Sequence, residues 1–191
     1  MEQKITENYD LIKACQAGDE KAVEQLIHLY AASVHGLIYS IIGHREDVED
    51  LAQETFLRML TAIDRYQFRA SFRSWLFRIA INLCRDQIRR KRVRSIISHY
   101  QSAEGEPVLK DQSQNPLGIV EQRDQADFLM KAINRLPHTL RIVLVLRDIQ
   151  EMSYDEIAST LSWRMGTVKS RLFRARKELA KTLHPHLEEL L

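Results

Sequence analysis

The chain has 191 residues, a formal net charge of +2, 45% hydrophobic and 28% charged residues. That balance is too apolar for a disordered chain, and the length, one or two domains' worth, hides enough surface to fold without a metal or disulfide staple. Six Gly and four Pro exclude collagen-like and low-complexity chains and weigh against a many-turned β-sandwich.

Met1-Glu2-Gln3-Lys4 opens no cationic and then apolar segment, which predicts a chain without a signal peptide. Leu11, Ile12 and Cys15 start a short helix that Gly18 can end. Asp19 can cap the next, whose stripe runs Val23, Leu26, Ile27, Tyr30, Ala31, Val34, Leu37, Ile38 and Ile41. A third helix carries Val48, Leu51, Ala52, Thr55, Phe56, Met59, Leu60 and Ile63; a fourth carries Phe72, Trp75, Leu76, Ile79, Ala80, Leu83, Cys84 and Ile88. Uninterrupted apolar runs stay far below the roughly 20 residues that cross a bilayer. Cys15 and Cys84 stand 69 positions apart with no C-x-x-C, so they read as reduced thiols of a cytoplasmic protein.

Between Ser95 and Leu117 the helical pattern fails, and Ser, Gln, Glu, Gly, Pro and Asn dominate. We expect an acidic flexible linker over 96–118, between a domain at 1–95 and a second at 119–191. About 23 residues at ~3.4 Å each span at most ~78 Å, about two turns of duplex DNA at roughly 34–36 Å per turn. Helix resumes near Glu121 with Phe128, Leu129, Ala132, Ile133 and Leu136; Pro137 interrupts, and Leu140, Val143 and Leu144 follow. No alternating strand pattern competes, so the expected fold class is all-α, two small helical domains on a linker.

Ser153-Tyr154-Asp155-Glu156 is a capping box. The helix it opens has Ile157, Ala158 and Leu161 on one side. A turn at Ser162-Trp163-Arg164-Met165 leads into a second helix with Val168, Leu172, Ala175 and Leu179 inward. Its other face shows Thr167, Ser170, Arg171, Arg174 and Lys177, flanked by Lys169 and Phe173. Short helix, turn and basic second helix is the arrangement that enters a major groove, with Arg and Lys able to read guanine edges or hold phosphates.

Charge is segregated along the chain. Arg65 to Arg94 holds ten bases and one acid, Thr167 to Thr182 six bases and one acid, and Glu46 to Glu54 five acids and no base. The fourth helix leaves Arg73, Phe77, Arg78, Ile81, Asn82, Arg85 and Arg89 off its main stripe. Cations interleaved with apolar surface suit single-stranded DNA, and an amide such as Asn82 can bond an unstacked base. The other reading is that Phe77 and Ile81 pack against a neighbouring helix and the arginines only solubilise. Asp50, Gln53, Glu54 and Leu57 share the outer face of the third helix, an acidic surface with an exposed leucine that fits protein docking, although acids in a first turn also follow from the helix dipole.

Taken in order, Asp47-Val48-Glu49-Asp50-Leu51-Ala52-Gln53-Glu54, Phe72-Arg73-Ser74-Trp75-Leu76-Phe77-Arg78, Leu136-Pro137, Ser153-Tyr154-Asp155-Glu156 and Gly166-Thr167-Val168-Lys169-Ser170-Arg171 resemble the extracytoplasmic-function sigma factors, over about residues 8 to 183. The resemblance implies a promoter-specificity subunit of bacterial RNA polymerase. Asp50, Gln53, Glu54 and Leu57 would dock on the clamp helices of β′, and the second domain on the β flap. The fourth helix would bind and melt the −10 element, with Asn82 bordering a pocket for a flipped base. The helix from Thr167 would read the −35 element through Lys169, Ser170, Arg171, Phe173 and Arg174. The linker would thread toward the RNA channel. Lys169 stands where many relatives carry Arg and cannot make the planar two-pronged contact with guanine. An anti-sigma factor, in some cases membrane-anchored at the inner membrane, is implied as a partner; a small-molecule substrate, a cofactor and enzymatic activity are not.

The chain carries no G-x-x-x-x-G-K-[ST] and no H-E-x-x-H, and His184-Pro185-His186 is too short a cluster for a metal site. The rival reading is a stand-alone dimeric helix-turn-helix regulator that binds a palindrome by itself.

Overall fold

The computed structural model describes residues 8–43, 45–101 and 121–188, which are helical with short connections and contain no strand. Helices α1 (Tyr9–Gln16), α2 (Glu20–Ile42), α3 (Arg45–Ala62) and α4 (Phe72–Gln101) form the first domain. Helices α5 (Glu121–Arg135), α6 (His138–Leu144), α7 (Tyr154–Leu161) and α8 (Met165–Glu188) form the second. The expected linker begins later than its composition suggests, because α4 continues through Gln101; its remainder, 102–118, lies outside the described residues.

Local signals set the helix ends. The Asp19 carboxylate accepts from the backbone N–H of Lys21 at 2.9 Å and Ala22 at 3.2 Å, opening α2. Gly43 closes it at φ 74°, the left-handed conformation that glycine adopts without a Cβ penalty. Gln16 reaches from the end of α1 to the carbonyls of Ile63 (2.9 Å) and Tyr66 (3.0 Å), tying α1 to a 3₁₀ turn at Ile63–Arg65.

The stripes expected from periodicity fill the first core: Leu26, Val34, Leu37, Ile38 and Ile41 of α2 meet Met59 of α3 and Leu76, Ala80 and Cys84 of α4, all fully buried. The Cys84 thiol is pushed up to about 12 by that burial. Among the described residues helix α2 alone has the length and mean hydropathy (1.3) to cross a membrane, but its inward face is this core. Leu60 and Leu129, expected on apolar stripes, are instead exposed. Trp75, expected inward, is half-buried at the edge of a ring cluster, 5.2 Å from Tyr66 and 5.3 Å from Phe72. Burial lifts the Tyr66 hydroxyl to about 12, with Tyr30 adding to the rise, and Tyr66 donates to the Ala70 carbonyl at 2.6 Å.

In the second domain Ile142 to Leu146 are all buried. A five-residue π-helical turn follows α6 at Val145–Ile149, closed by the Gln150 N–H on the Val145 carbonyl at 2.9 Å. The next residue, Glu151, takes φ 56°. Ser153 and Glu156 form the expected capping box, each side chain accepting from the other's backbone N–H (3.2 and 2.8 Å). Ser153→Ala is expected to cost about 1 kcal/mol of stability, within the range for lost caps, measured as a shift in the urea midpoint; no shift would mean that the box does not hold α7.

Candidate nucleic-acid interface

Helices α7 and α8 form a helix-turn-helix. Val168, Leu172 and Ala175 anchor α8 against the domain core, and Leu179 is half-buried behind them. Arg176 is held sideways by Asp148 of the π-helical turn through two hydrogen bonds (3.1 and 2.5 Å), and this bonding raises its already high pKa. With its inward side fixed, α8 turns Lys169, Ser170, Phe173, Arg174 and Lys177 to solvent. Phe173 is 69% exposed, and neither Lys169, Arg174 nor Lys177 makes an ion pair among the described residues. Thr167 and Arg171 are half-buried; the Arg171 guanidinium lies 4.0 Å from the Trp163 ring centre.

The face expected on α4 is only partly open. Arg78, Asn82 and Arg89 are exposed, and Arg73 and Arg85 are half-buried. Phe77 and Ile81 are not exposed: Phe77 keeps 0% and Ile81 1% of its surface. They lie on the flank of α4 between its first-domain stripe and the side carrying Arg78 and Arg85, so that a helix packed from two directions encloses them. Arg73 lies 4.8 Å above the Phe77 ring. Arg85 is 5.7 Å from the other domain's Trp163, and its pKa is lowered first by burial and then by Arg171.

The acidic face of α3 is separate and open. Asp50, Gln53 and Leu57 are exposed, Leu57 at 58%, and Glu54 is half-buried, bonded to Arg58 one turn on at 2.7 Å. Beside them a groove of about 450 Å³ runs between α3 and α4, lined by Asp47, Asp50, Glu54, Arg58, Asp86 and Arg90 among others. Asp47 is partnered within it by Gln87 (3.0 Å) and Lys91.

Two polar residues that matter here, Gln150 and Arg141, escaped the sequence reading. Arg73 donates to Gln150, and Arg141 donates to the carbonyls of Ile41, Asn134 and Leu136. Arg141 interrupts the run Leu140 to Leu146, a hint that its charge is used indoors; burial lowers its pKa.

The chain matches the family described as Sigma-70 region 2 over residues 26–94 and that described as Sigma-70, region 4 over residues 129–179. It is 34% identical to the ECF RNA polymerase sigma factor SigW of Bacillus subtilis, the alignment covering 90% of this chain and 94% of that one. The chain belongs to the extracytoplasmic-function (ECF) family of RNA polymerase sigma factors. RNA polymerase sigma-H factor of Pseudomonas aeruginosa is 31% identical over 97% of this chain and 99% of its own length. Among solved structures, the sigma factor RpoE of Bartonella quintana, crystallised with the anti-sigma factor NepR, superposes with a TM-score of 0.66 at 25% identity, covering 84% of this chain and 96% of that one. CnrH, solved with the cytosolic domain of CnrY, shares the fold at 24% identity, TM-score 0.68, covering 92% of this chain and 96% of that one. As an ECF sigma factor the protein is a promoter-specificity subunit of RNA polymerase; the stand-alone regulator is not favoured.

The burial of Phe77 has a measurable consequence. Phe77→Ala is expected to destabilise this sigma factor by about 3–5 kcal/mol, the cost of a cavity at a large core side chain. A solvated ring at the same place would cost within ±0.5 kcal/mol, so chemical denaturation separates the two.

Proposed function

We propose a division of labour along the chain. The domain at 1–95 docks on core polymerase and takes the −10 element, residues 96–118 act as a strap, and the domain at 119–191 takes the −35 element and the β flap. The observation that carries this is the separation of surfaces. The open cations of α8 lie on one domain, and an acidic ridge bearing a bare leucine, Leu57, lies on the other. A polyanion is attracted to the first and repelled by the second, so the ridge suits a protein partner, the β′ clamp helices, through Asp50, Gln53, Glu54 and Leu57.

On α8, Arg171 and Arg174 have the donor fork for a guanine edge, Lys169, Lys177, Thr167 and Ser170 suit phosphates, and Phe173 suits a thymine methyl. On α4, Arg73, Arg78, Arg85 and Arg89 hold the backbone of the melted strand, while Asn82 borders the place of a flipped base. Phe77 and Ile81 add apolar surface there once they are uncovered. Structural relatives solved with anti-sigma factors support an anti-sigma factor as the inhibiting partner, and a membrane-anchored one would hold this cytoplasmic protein at the inner membrane. The protein acts by binding, without catalytic residues of its own.

The deciding experiment adds the purified protein to sigma-free core polymerase and maps transcript starts. Promoter-directed starts are expected only with the protein present; none would end this reading, and a dimer that shifts an inverted repeat without polymerase would restore the rival. Arg174→Ala is expected to weaken −35-dependent binding of the holoenzyme by about 1–3 kcal/mol, the value of one base contact, read by gel shift; equal affinity would remove Arg174 from the reading set. Glu54→Lys is expected to abolish co-purification with core polymerase while leaving helical content intact, because Glu54 lies off the buried stripe; undiminished co-purification would remove the ridge from the docking surface.

A further inference from the structure

The turn between α7 and α8 is fastened at both ends by backbone hydrogen bonds. Ser162 ends α7 in the left-handed conformation (φ 55°), with its N–H on the Ser159 carbonyl at 3.3 Å and the Trp163 N–H on the Ala158 carbonyl at 2.9 Å. These two bonds make a Schellman motif, commonly accompanied by an apolar contact between the residue in Trp163's place and the helix it leaves. Trp163 does pack against the domain core. On the other side the Arg164 carbonyl accepts from Thr167 at 2.9 Å and from Val168 at 3.2 Å, which opens α8. The half-buried indole is thus fixed between two helix ends.

What lies over that indole is Arg171. Its guanidinium carbon stands 4.0 Å from the ring centre, close to contact distance for two flat groups. Arg171 is half-buried, and among the described residues its side chain makes no hydrogen bond and no ion pair. Stacking occupies the face of a guanidinium and leaves its five N–H donors for an acceptor. Arg174, three residues on, is the opposite case, exposed and without an ion pair among the described residues. Arg85 of α4 also approaches the ring, but at 5.7 Å it stands well outside contact, so Arg171 is the group that the indole holds.

We infer that Trp163 is a positioning residue of the recognition helix, holding the Arg171 guanidinium over its ring so that the donor fork is ordered before DNA arrives. This rests on the base-reading role given to Arg171 above. A free arginine surrenders the freedom of a long side chain when it forms a contact, and that loss is subtracted from what the contact contributes. A stacked arginine has surrendered it already, in the fold. The two forks of α8 then differ in kind. Arg171 is fixed and accepts a base edge at one place only, whereas Arg174 adapts to where the edge lies. Trp163 touches no base in this scheme. It acts through Arg171, so its contribution must vanish when Arg171 is absent, which packing of the turn alone would not produce.

The test is a double-mutant cycle on the full-length protein in holoenzyme, read by gel shift on a promoter located by the transcript mapping above. Trp163→Leu keeps an apolar side chain without the ring face, and Trp163→Phe keeps a ring. Trp163→Leu is expected to weaken promoter binding about tenfold, and Trp163→Phe to stay within about threefold of wild type. Added to Arg171→Ala, Trp163→Leu is expected to cause no further loss. An equal loss with and without Arg171, or a Phe variant as weak as the Leu variant, would overturn the proposal. A second measurement needs no DNA. The chain has two tryptophans, Trp75 and Trp163, so in a Trp75→Phe background the emission belongs to Trp163. Arg171→Ala is expected to increase its quenching by acrylamide, because the guanidinium no longer covers the ring. If Trp163→Leu loses its helical circular dichroism, this measurement decides alone, and unchanged quenching overturns the proposal. Failure of the sigma-factor reading shows elsewhere, as absent promoter-directed transcripts from wild type with core polymerase, and leaves the quenching difference intact.

Discussion

Helix α4 is packed from two directions, and the rest of the arrangement follows from that. One side carries Leu76, Ala80 and Cys84 into the first core. The adjoining flank carries Phe77 and Ile81, also buried, and Arg73 and Arg78 of the same helix find Gln150 and Ser159 of the second domain. Burying a large apolar side chain contributes about 1.5–3 kcal/mol, and a hydrogen bond from a charged donor about 1.5–3 kcal/mol when it is shielded from water. Arg78 is exposed, so its bond is worth less than this. Against these stand two half-buried or buried guanidinium groups, Arg85 and Arg141, whose lowered pKa values record the desolvation they suffer.

What the sequence made legible was local. Ser153 and Glu156, three residues apart, specify the start of α7 whatever surrounds them, and Asp19 does the same for α2. The spacing of Val168, Leu172 and Ala175 fixes which side of α8 faces in, and therefore which cations face out. The α4 face was not legible in the same way. Phe72, Leu76, Phe77, Ala80, Ile81, Leu83 and Cys84 spread apolar surface too far round the helix for periodicity to tell a core stripe from an exposed patch. Only the tertiary packing around the helix decides it. Gln150 was invisible for a related reason, because its partner lies 77 residues away in the chain, and Arg141 gave only the hint of a charge inside an apolar run, its partner Ile41 lying 100 residues away. Trp75 belongs to a ring cluster assembled by the turn after α3, which no helical pattern encodes.

Phe77 and Ile81 are core residues of this structure, so of the two readings that their spacing left open the packed one describes them. Arg78, Asn82 and Arg89 stay exposed on the same helix, which leaves a cationic face without the interleaved apolar surface.

On the roles proposed above, the exposed surfaces set an order of events. The α3 ridge, with Asp50, Gln53 and Leu57 exposed, is accessible to a protein partner from the start. The exposed cations of α8 are accessible to duplex. Phe77 and Ile81 on α4 are buried, so on those roles polymerase docking and duplex contact come before any contact of unstacked bases with them.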